Sequence, residues 1–477
     1  MRLNSKQICE YTGGRVLVNP IDASKLACGV AWDSRAVSPG DLYVALPGEN
    51  VDGHAFVPQA LRAGAVVVLV QEAPDEATCL LAREMGAAVI EVSNTFSAIT
   101  DLARAWRGYL RGHVVGLTGS TGKTTTKNLV RDVLSASFSV VATQANQNNE
   151  LGVPKTLLSA DPETEVVVVE MGMRGLGQIA DLCDFVKPDM GLITNIGESH
   201  IELLGSRENI ARAKAELIEA LPDGYGCAFV NSSDAYTPLV LECSKAIERS
   251  VGIWFYDGSA RDVDTAADAY ATDVELDSEG RPGFVLHVAG DEAVCKLNLR
   301  GLHNVQNATA AASVGARLGM DAATIASALA SAQPEAGRQH VIQARAGFTI
   351  VDDAYNANPD SMRASLAMFS SLAVQGKRVA VHGDMGELGD YAVACHEGIG
   401  RAAAASNLDY LVCTGELSAH IARAAREAGM DADTVLETDS IPGVLGELDN
   451  LLEPGDAVLV KASHFMGLER VVGGLVN

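Results

Sequence analysis

A glycine-rich turn near the first quarter of the chain has the residue types that bind a phosphate group. It lies in TGSTGKTTTK, after the apolar run HVVGL. Gly119 and Gly122 let backbone amides approach an anion, and Lys123 can meet the β- and γ-phosphate charges. Thr124 offers a hydroxyl group to Mg2+. The predicted phosphate cradle comprises Gly119, Ser120, Thr121, Gly122, Lys123, Thr124 and Thr125.

The spacing of this turn is a variant of the Walker pattern. The strict form G-x-x-x-x-G-K-[ST] would place glycine at position 117, where the chain has Leu117, and glycine stands instead at Gly116 and Gly119. A turn that only connects a strand to a helix is the alternative. The flanking strand and the threonine run favour nucleotide binding.

An acid stands where a second apolar run ends. VVVVEMG places Glu170 at the carboxyl end of a strand, where α/β sheets bind their ligands, so this carboxylate suits Mg2+ or its water shell. Capping of the following helix is the alternative, because acids are common near helix starts.

A lysine occupies the apolar face of a later helix. In ARAKAEL, Lys214 shares that face with Ile210, Ala213, Leu217 and Leu221, and His200 lies in the loop before the helix. A buried ammonium group is costly unless it is paired or modified, and the alternative is that the side chain reaches out to water.

Further polar residues that could bind a ligand lie just after strands or at the first turn of helices. Asn304 and Asn307 stand where a helix begins, and capping is the alternative for Asn304. Arg338 lies at a predicted domain junction, and Asp353 follows a strand.

Alternating strand and helix patterns predict an α/β protein with largely parallel sheets. A length of 477 residues suggests about three domains. We predict a small α/β domain at 1–95, a nucleotide-binding domain at 96–336 with an added antiparallel edge at 269–299, and a second doubly wound domain at 337–477.

Composition excludes several classes of protein. With 36 basic against 61 acidic residues and a net charge of −25, a nonspecific grip on nucleic acid is disfavoured. Nine scattered cysteines suit a reducing compartment, and neither a signal peptide nor a membrane-spanning run is present. The sequence predicts a cytoplasmic protein with no nucleic-acid partner and no membrane insertion.

Motifs spread over the whole chain resemble the Mur ligases, and within that family the type that adds D-alanyl-D-alanine. The motifs are TGSTGKTTTK, NQNNELGVPKTLL, VEMGMRGLGQIADLCDFVKPD, TNIGESHIELLGSRENIARAKAEL, LHNVQNATAA, DDAYNANPDSM and GDMGELG. The resemblance implies an N-terminal UDP-sugar domain, a central P-loop mononucleotide-binding ATPase domain and a C-terminal Rossmann-like domain that closes over the site.

The resemblance also implies roles for individual residues. Thr124 and Glu170 would hold a first Mg2+, while His200 and Lys214 would serve a second, with a CO2-derived carbamate on Lys214. ATP contact or domain closure would involve Asn304, Asn307, Arg338 and Asp353. Substrate contacts would come from Ser34, Arg35, Asp52, Gly53, His54, Asn148, Asn149, Asn356 and Asn358.

The implied reaction is ATP-dependent amide bond formation. In this reaction the amine of D-Ala-D-Ala attacks an acyl phosphate formed on UDP-MurNAc-tripeptide. The implied catalytic residues are Lys123, Glu170, His200 and Lys214. We expect the enzyme to act as a monomer. One departure is Lys461-Ala462-Ser463-His464, where relatives usually read K-G-S-R. Another amide ligase of the superfamily and a P-loop switch that forms no bond are the alternatives.

Overall fold

The chain folds around three larger β-sheets that follow one another along the sequence. The computed structural model describes residues 1–48 and 51–476. Within these residues no helix is long and apolar enough to cross a bilayer, and all nine cysteines are free thiols. The predicted domain limits, after residues 95 and 336, fall between the sheets and stay a prediction.

The N-terminal part contains a five-stranded sheet and a small antiparallel pair formed by the first and third strands. Its strands are β1 (Leu3–Asn4), β2 (Arg15–Val18), β3 (Leu26–Ala27), β4 (Gly29–Ala31), β5 (Asp41–Val44), β6 (Val67–Val70) and β7 (Ala88–Glu91). Its helices are α1 (Ser5–Tyr11), α2 (Val57–Ala63) and α3 (Glu76–Met85). In the order β2-β7-β6-β5-β4 only β2 is antiparallel. Of these strands, the sequence predicted only β5 and β6.

The central part is built on a nine-stranded sheet. Its strands are β8 (His113–Thr118), β9 (Val140–Ala142), β10 (Val166–Glu170), β11 (Met190–Ile193), β12 (Cys227–Asn231), β13 (Gly252–Asp257), β14 (Ala269–Leu276), β15 (Pro282–Val288) and β16 (Asp291–Lys296). Its helices are α4 (Thr95–Arg107), α5 (Lys123–Ser135), α6 (Gly152–Ser159), α7 (Gln178–Val186), α8 (Ile201–Leu204), α9 (Arg207–Glu219), α10 (Thr237–Cys243), α11 (His303–Arg317) and α12 (Ala322–Ser331).

The strand order of this sheet places a ligand crevice at the end of β8. The order is β16-β15-β14-β13-β12-β11-β8-β10-β9, so the chain leaves β8 for β9 and β10 on one side and crosses to β11 on the other. Such a reversal opens a crevice at the carboxyl ends of the strands. The phosphate-type turn begins there.

Burial along the strands explains why the parallel strands of this sheet have continuous apolar sequences, whereas the antiparallel strands alternate. Strands β10 and β12 are buried at every residue, as expected for parallel strands covered on both faces, and their sequences are nearly continuous apolar runs. In β15, buried and half-buried residues alternate, and β14, β15 and β16 pair antiparallel. The predicted antiparallel edge is confirmed.

The C-terminal part carries a six-stranded sheet in the order β17-β18-β22-β19-β20-β21. Its strands are β17 (His340–Gln343), β18 (Thr349–Asp352), β19 (Arg378–Gly383), β20 (Tyr410–Thr414), β21 (Val435–Thr438) and β22 (Ala457–Lys461). Its helices are α13 (Pro359–Ser371), α14 (Ala392–Ala404), α15 (Ser418–Glu427), α16 (Ile441–Leu451) and α17 (Glu469–Val476). All neighbours except β17 and β18 are parallel, as a doubly wound domain requires.

Candidate active site

The phosphate-type turn joins β8 to α5, and two of its glycines are required by their surroundings. Gly122 caps α5 with φ 73°, and a Cβ there would lie 2.6 Å from Asn307 Oδ1. A Cβ on Gly119 would lie 1.7 Å from Thr194 Oγ1. Any side chain at either position would collide with a neighbouring element. The turn therefore brings the free backbone amides at the start of α5 up to the crevice, where they can bind an anion.

Lys123 folds back over this turn. Its Nζ donates to the carbonyl of Gly119 at 2.8 Å and lies 3.4 Å from the carbonyl of Ser120. Burial lowers the pKa of Lys123, and the charge of Glu170 opposes that shift. The ammonium thus stands beside the amides that would cradle a phosphate.

Glu170 ends β10 as a buried carboxylate with one free oxygen. Its Oε1 accepts from Asn148 Nδ2 at 2.8 Å and lies 3.3 Å from Thr124 Oγ1. Its Oε2 has no partner among the described residues, although the side chain is 1% exposed. A helix-capping role is wrong, because α7 begins beyond Gly177 with no side-chain cap. A buried unpaired carboxylate oxygen beside a hydroxyl fits a hard cation.

No set of three His, Cys, Asp or Glu side chains in the described part of the chain is arranged to hold a metal on its own.

Lys214 lies on α9, which begins after the cap formed by the Ser206 side chain. The lysine is 1% exposed, so the interpretation that its side chain reaches water is wrong. Burial, followed by repulsion from Lys123, lowers the pKa of Lys214 well below its usual value. The described residues offer its amine no hydrogen-bond or ion-pair partner.

His200 opens α8 in a left-handed conformation with φ 63°. Its Nδ1 lies 2.5 Å from Glu387 Oε2, although the ring N–H does not point straight at that oxygen. Contact with His200, followed by Arg174 and Lys123, lowers the pKa of Glu387. From the sequence, Glu387 was known only as a member of the GDMGELG motif and Arg174 as a member of VEMGMRGLGQIADLCDFVKPD, and neither was given a role.

Asn304 and Asn307 lie side by side in the first turns of α11. Both are buried, and Asn307 Nδ2 donates to Asn304 Oδ1 at 2.9 Å. Asn307 Oδ1 accepts from Thr126 Oγ1 at 3.1 Å, which ties α11 to α5. Capping by Asn304 is wrong, because α11 has no side-chain cap and Asn304 Nδ2 donates to the carbonyl of Arg300.

Arg338 connects the C-terminal part to the phosphate end. Its Nη2 donates to Thr124 Oγ1 at 3.0 Å, and its guanidinium lies 4.2 Å from the centre of the Tyr355 ring. Asp353 instead forms a buried ion pair with Lys461 at 2.7 Å and accepts from the backbone of Gln339. Lys461 also donates to the carbonyl of Asn356.

His303 lies in the same interface and was not selected from the sequence. Burial lowers its pKa to about 4, opposed by Asp353 and assisted by Lys461. The ring is therefore neutral near neutral pH.

A cleft of about 960 Å³ runs between the central and C-terminal parts. The sequence-selected residues on its wall are Ser120, Thr121, Gly122, Lys123, Thr124, Thr125, Asn148, Asn149, Glu170, His200, Asn304, Asn307, Arg338, Asp353, Asn356 and Asn358. Gly119 and Lys214 are not on this wall, although the charge of Lys123 lowers the pKa of Lys214.

Several asparagines of this wall already make structural bonds. Asn149 Oδ1 accepts from the amide of Gly152 at the start of α6. Asn358 caps α13, and its Nδ2 donates to Ser199 Oγ at 2.5 Å across the interface. Asn356 is exposed.

The five residues selected in the N-terminal part do not line this cleft. Arg35 is exposed and pairs with Asp33, while Ser34 is buried. His54 Nδ1 lies 2.7 Å from Asp52, and its Nε2 accepts from the amide of Gln71. Gly53 leaves no room for a Cβ, which would lie 2.7 Å from the backbone of Leu46. Ser34 and Arg35 lie in one turn, and Asp52, Gly53 and His54 lie in another. Neither turn lines the cleft.

Comparison with known proteins adds family matches over most of the chain. Residues 28–107 match the model described as Mur ligase family, catalytic domain. Residues 117–315 match the Mur ligase middle domain, and residues 337–464 match the Mur ligase glutamate ligase domain.

Relatives are similar over the full length. UDP-N-acetylmuramoyl-tripeptide--D-alanyl-D-alanine ligase of Mycobacterium tuberculosis is 36% identical over 100% of this chain and 98% of its own. A crystal structure of MurF from Acinetobacter baumannii has a TM-score of 0.84 and 32% identity over 100% of this chain and 99% of its own. The crystal structure of MurF from Thermotoga maritima in complex with ADP has a TM-score of 0.75 and 28% sequence identity. The match covers 94% of this chain and 96% of that one.

Proposed function

This chain belongs to the Mur ligase family, and from that premise we propose that it joins D-alanyl-D-alanine to UDP-N-acetylmuramoyl-tripeptide. It is an ATP-dependent ligase, and its product is the UDP-MurNAc-pentapeptide precursor of peptidoglycan, with ADP and phosphate released. The observation that carries the proposal is the cleft in which a phosphate-type turn, a buried carboxylate and a C-terminal arginine meet.

The reaction needs ATP because a carboxylate and an amine do not condense spontaneously in water. The γ-phosphoryl group passes to the tripeptide carboxylate, which gives ADP and an acyl phosphate. The amine of D-Ala-D-Ala attacks the acyl carbon, phosphate leaves, and the nitrogen loses a proton as the amide forms. No protein nucleophile is required, so positioning and charge stabilisation carry the catalysis.

The central part holds the triphosphate. Amides of the turn from Ser120 to Thr125 bind its oxygens at the start of α5, and Lys123 neutralises charge as the phosphoryl group moves. Asn304 and Asn307 stand at the neighbouring helix start and hold the nucleoside side. Arg338 reaches Thr124 from the C-terminal part, so apposition of the two parts adds a cation next to the phosphates.

Two Mg2+ sites belong to the proposal. Thr124 and Glu170 fit the first, since Glu170 Oε2 is buried without a partner. His200 and Lys214 would serve the second. Bound Mg2+ neutralises phosphate charge and orients the transferring group.

We assign the unpartnered Lys214 to carbamate formation. Its lowered pKa favours the neutral amine, which is the form that attacks CO2, and loss of a proton then gives a carbamate. This converts a buried base into an acid able to bind a cation. Lys214→Ala should lose activity and regain part of it when a short carboxylate such as acetate is added. No recovery in a folded variant that still binds ATP would contradict the carbamate.

The two turns of the N-terminal part that carry these candidates form the proposed site for the UDP-sugar. Ser34, Arg35, Asp52, Gly53 and His54 would contact it, and the wall residues Asn148, Asn149, Asn356 and Asn358 would contact the peptide end. We further propose that the enzyme works as a monomer. Its cytoplasmic location and the domain limits 1–95, 96–336 and 337–477 stay predictions.

The test is phosphate release from ATP and Mg2+ with UDP-MurNAc-tripeptide, with and without D-Ala-D-Ala, together with mass detection of the product. Release that depends on both substrates and yields a pentapeptide supports the proposal. Ligation of another amine alone would replace the substrate within the same chemistry. Turnover that ignores both organic substrates would favour a nucleotide switch.

A further inference from the structure

A loop of the C-terminal part docks on the segment that carries His200. The loop comprises residues 384–391 and follows β19. The amide of Glu202 donates to the carbonyl of Glu387 at 3.3 Å, and Tyr391 Oη donates to the carbonyl of Gly205 at 3.0 Å. At Gly389 an added Cβ would lie 2.8 Å from Glu202 Cγ. The two segments are therefore in close contact.

The two residues at the centre of this contact both have unfavourable backbone conformations. His200 has φ 63° and Glu387 has φ 60°, in the left-handed region that side chains other than glycine rarely adopt. Such strain persists where the surroundings enforce it, commonly at functional sites. Here the side chains of both strained residues meet, with His200 Nδ1 2.5 Å from Glu387 Oε2, although the ring N–H is not aimed straight at that oxygen.

Glu387 is held in place from its own side of the interface. The amide of the preceding Gly386 donates to Ser463 Oγ at 2.9 Å, and that hydroxyl donates to the carbonyl of Ala357 at 3.2 Å. Arg174 Nε approaches Glu387 Oε1 at 3.5 Å from the central part. These contacts keep the carboxylate charged and facing His200, and they give Ser463 of the divergent C-terminal loop a structural role.

We propose that Glu387 is a positioning residue that sets the tautomer of His200. A carboxylate oxygen 2.5 Å from Nδ1 requires the proton on that nitrogen, since two lone pairs would otherwise repel each other. In the neutral ring the lone pair is then on Nε2, which is the arrangement in which a histidine accepts a cation. The C-terminal part thereby completes a cation site of the central part. The role of the cation rests on the proposed function, whereas the tautomer does not.

The tautomer can be measured without substrates. Long-range 1H–15N correlation spectra of the ring nitrogens distinguish the two neutral forms, and His200 is identified among ten histidines by the signal lost in His200→Gln. We expect the Nδ1–H form in the wild type and a shift toward the Nε2–H form in Glu387→Gly. Glycine suits φ 60°, so this variant removes the carboxylate without adding strain.

Matched variants separate positioning from folding. Glu387→Gln keeps an acceptor oxygen and should retain the Nδ1–H form. Asp390→Asn changes an exposed acid of the same loop and should leave the spectrum unchanged. A thermal unfolding midpoint for each variant shows whether the loop still folds. An unchanged His200 tautomer in folded Glu387→Gly would overturn the proposal.

The second readout is the affinity for Mn2+. It is measured by electron paramagnetic resonance in the presence of a non-hydrolysable ATP analogue. We expect Glu387→Gly to weaken Mn2+ binding roughly 10- to 100-fold. A raised KM for D-Ala-D-Ala with unchanged Mn2+ affinity would instead make Glu387 a substrate contact and contradict positioning. A fixed tautomer in an enzyme that forms no pentapeptide would leave Glu387 as the positioning residue and reject the proposed function.

Discussion

The two ends of the cleft are constructed in different ways. At the phosphate end, β8, the glycine turn and α5 are continuous in sequence, and Lys123 bonds to a carbonyl four residues before it. At the interface end, the contacts join residues far apart, as Arg338 and Thr124 are separated by 214 positions. Local sequence thus determines the phosphate cradle, whereas its alignment with the peptide-forming groups depends on how the parts pack.

The largest expected effect comes from Lys123→Ala, which removes the charge at the phosphate end. Loss of a single charge-stabilising donor costs roughly 10²–10³-fold in kcat. We expect at least that loss in pentapeptide formation, measured by mass detection, because the ammonium stands beside the turn that we propose to bind the phosphates. Lys6→Ala, at an exposed lysine of α1, should leave the rate unchanged. Retained activity in Lys123→Ala would remove the distinction between the two ends.

The glycines of the turn allow a test of shape alone. Gly122→Ala would place a Cβ 2.6 Å from Asn307 Oδ1, whereas Gly319→Ala meets nothing within 4 Å, and both positions have positive φ. Both variants should lose about 1 kcal/mol of stability from backbone strain. Only Gly122→Ala should also weaken ATP binding, by roughly tenfold or more, since about 1.4 kcal/mol of misfit is sufficient. Equal ATP affinity of the two variants, measured by calorimetry, would contradict the close fit.

This contrast also explains what the sequence could predict. The glycine turn from Gly119 to Thr125 and the position of Lys214 on an apolar helix face were predictable, because spacing within one turn or one helix face is a local property. The contact of His200 with Glu387 was not, since no periodicity links two loops that lie on different sheets. Likewise, the pairing of Lys461 with Asp353 depends on β18 and β22 being neighbours.

The fold shows the same limit. Long buried runs such as β10 and β12 and the alternating strand β15 were predictable from their patterns. The two-residue strand β3 was not, because two residues establish no period.

Arg338→Lys tests the interface end with a smaller expected effect than Lys123→Ala. Lysine keeps the charge but loses the planar fork and its stacking on Tyr355. A hydrogen bond to a charged group contributes about 1.5–3 kcal/mol, so we expect roughly a 10- to 100-fold loss in kcat/KM. Arg345→Lys, at an exposed arginine, serves as the control. Should Arg338→Lys lower ATP affinity without changing turnover, the arginine would belong to the phosphate end instead.

The smallest effect on catalysis is expected at His382, which affects the stability of the C-terminal sheet. This residue of β19 is fully buried, and neither ring nitrogen has a partner among the described residues. Burial, followed by Lys461, lowers its pKa to about 3 from a usual 6.5. The unfolded chain therefore takes up a proton below about pH 6.5 while the folded chain does not. Stability falls as the pH falls through this window, by up to roughly 4 kcal/mol.

His382→Leu removes that proton uptake and leaves the cleft wall unchanged, because His382 does not line it. We expect the free energy of unfolding, measured with urea from pH 7 to pH 4, to decline less steeply than in the wild type. Part of the slope should remain, since His303 has a pKa lowered to about 4 and titrates in the same window. His420→Leu controls for the loss of a partly exposed histidine. If His382→Leu and the wild type lost stability in parallel on acidification, the acid sensitivity would have to arise from the interface groups around His303.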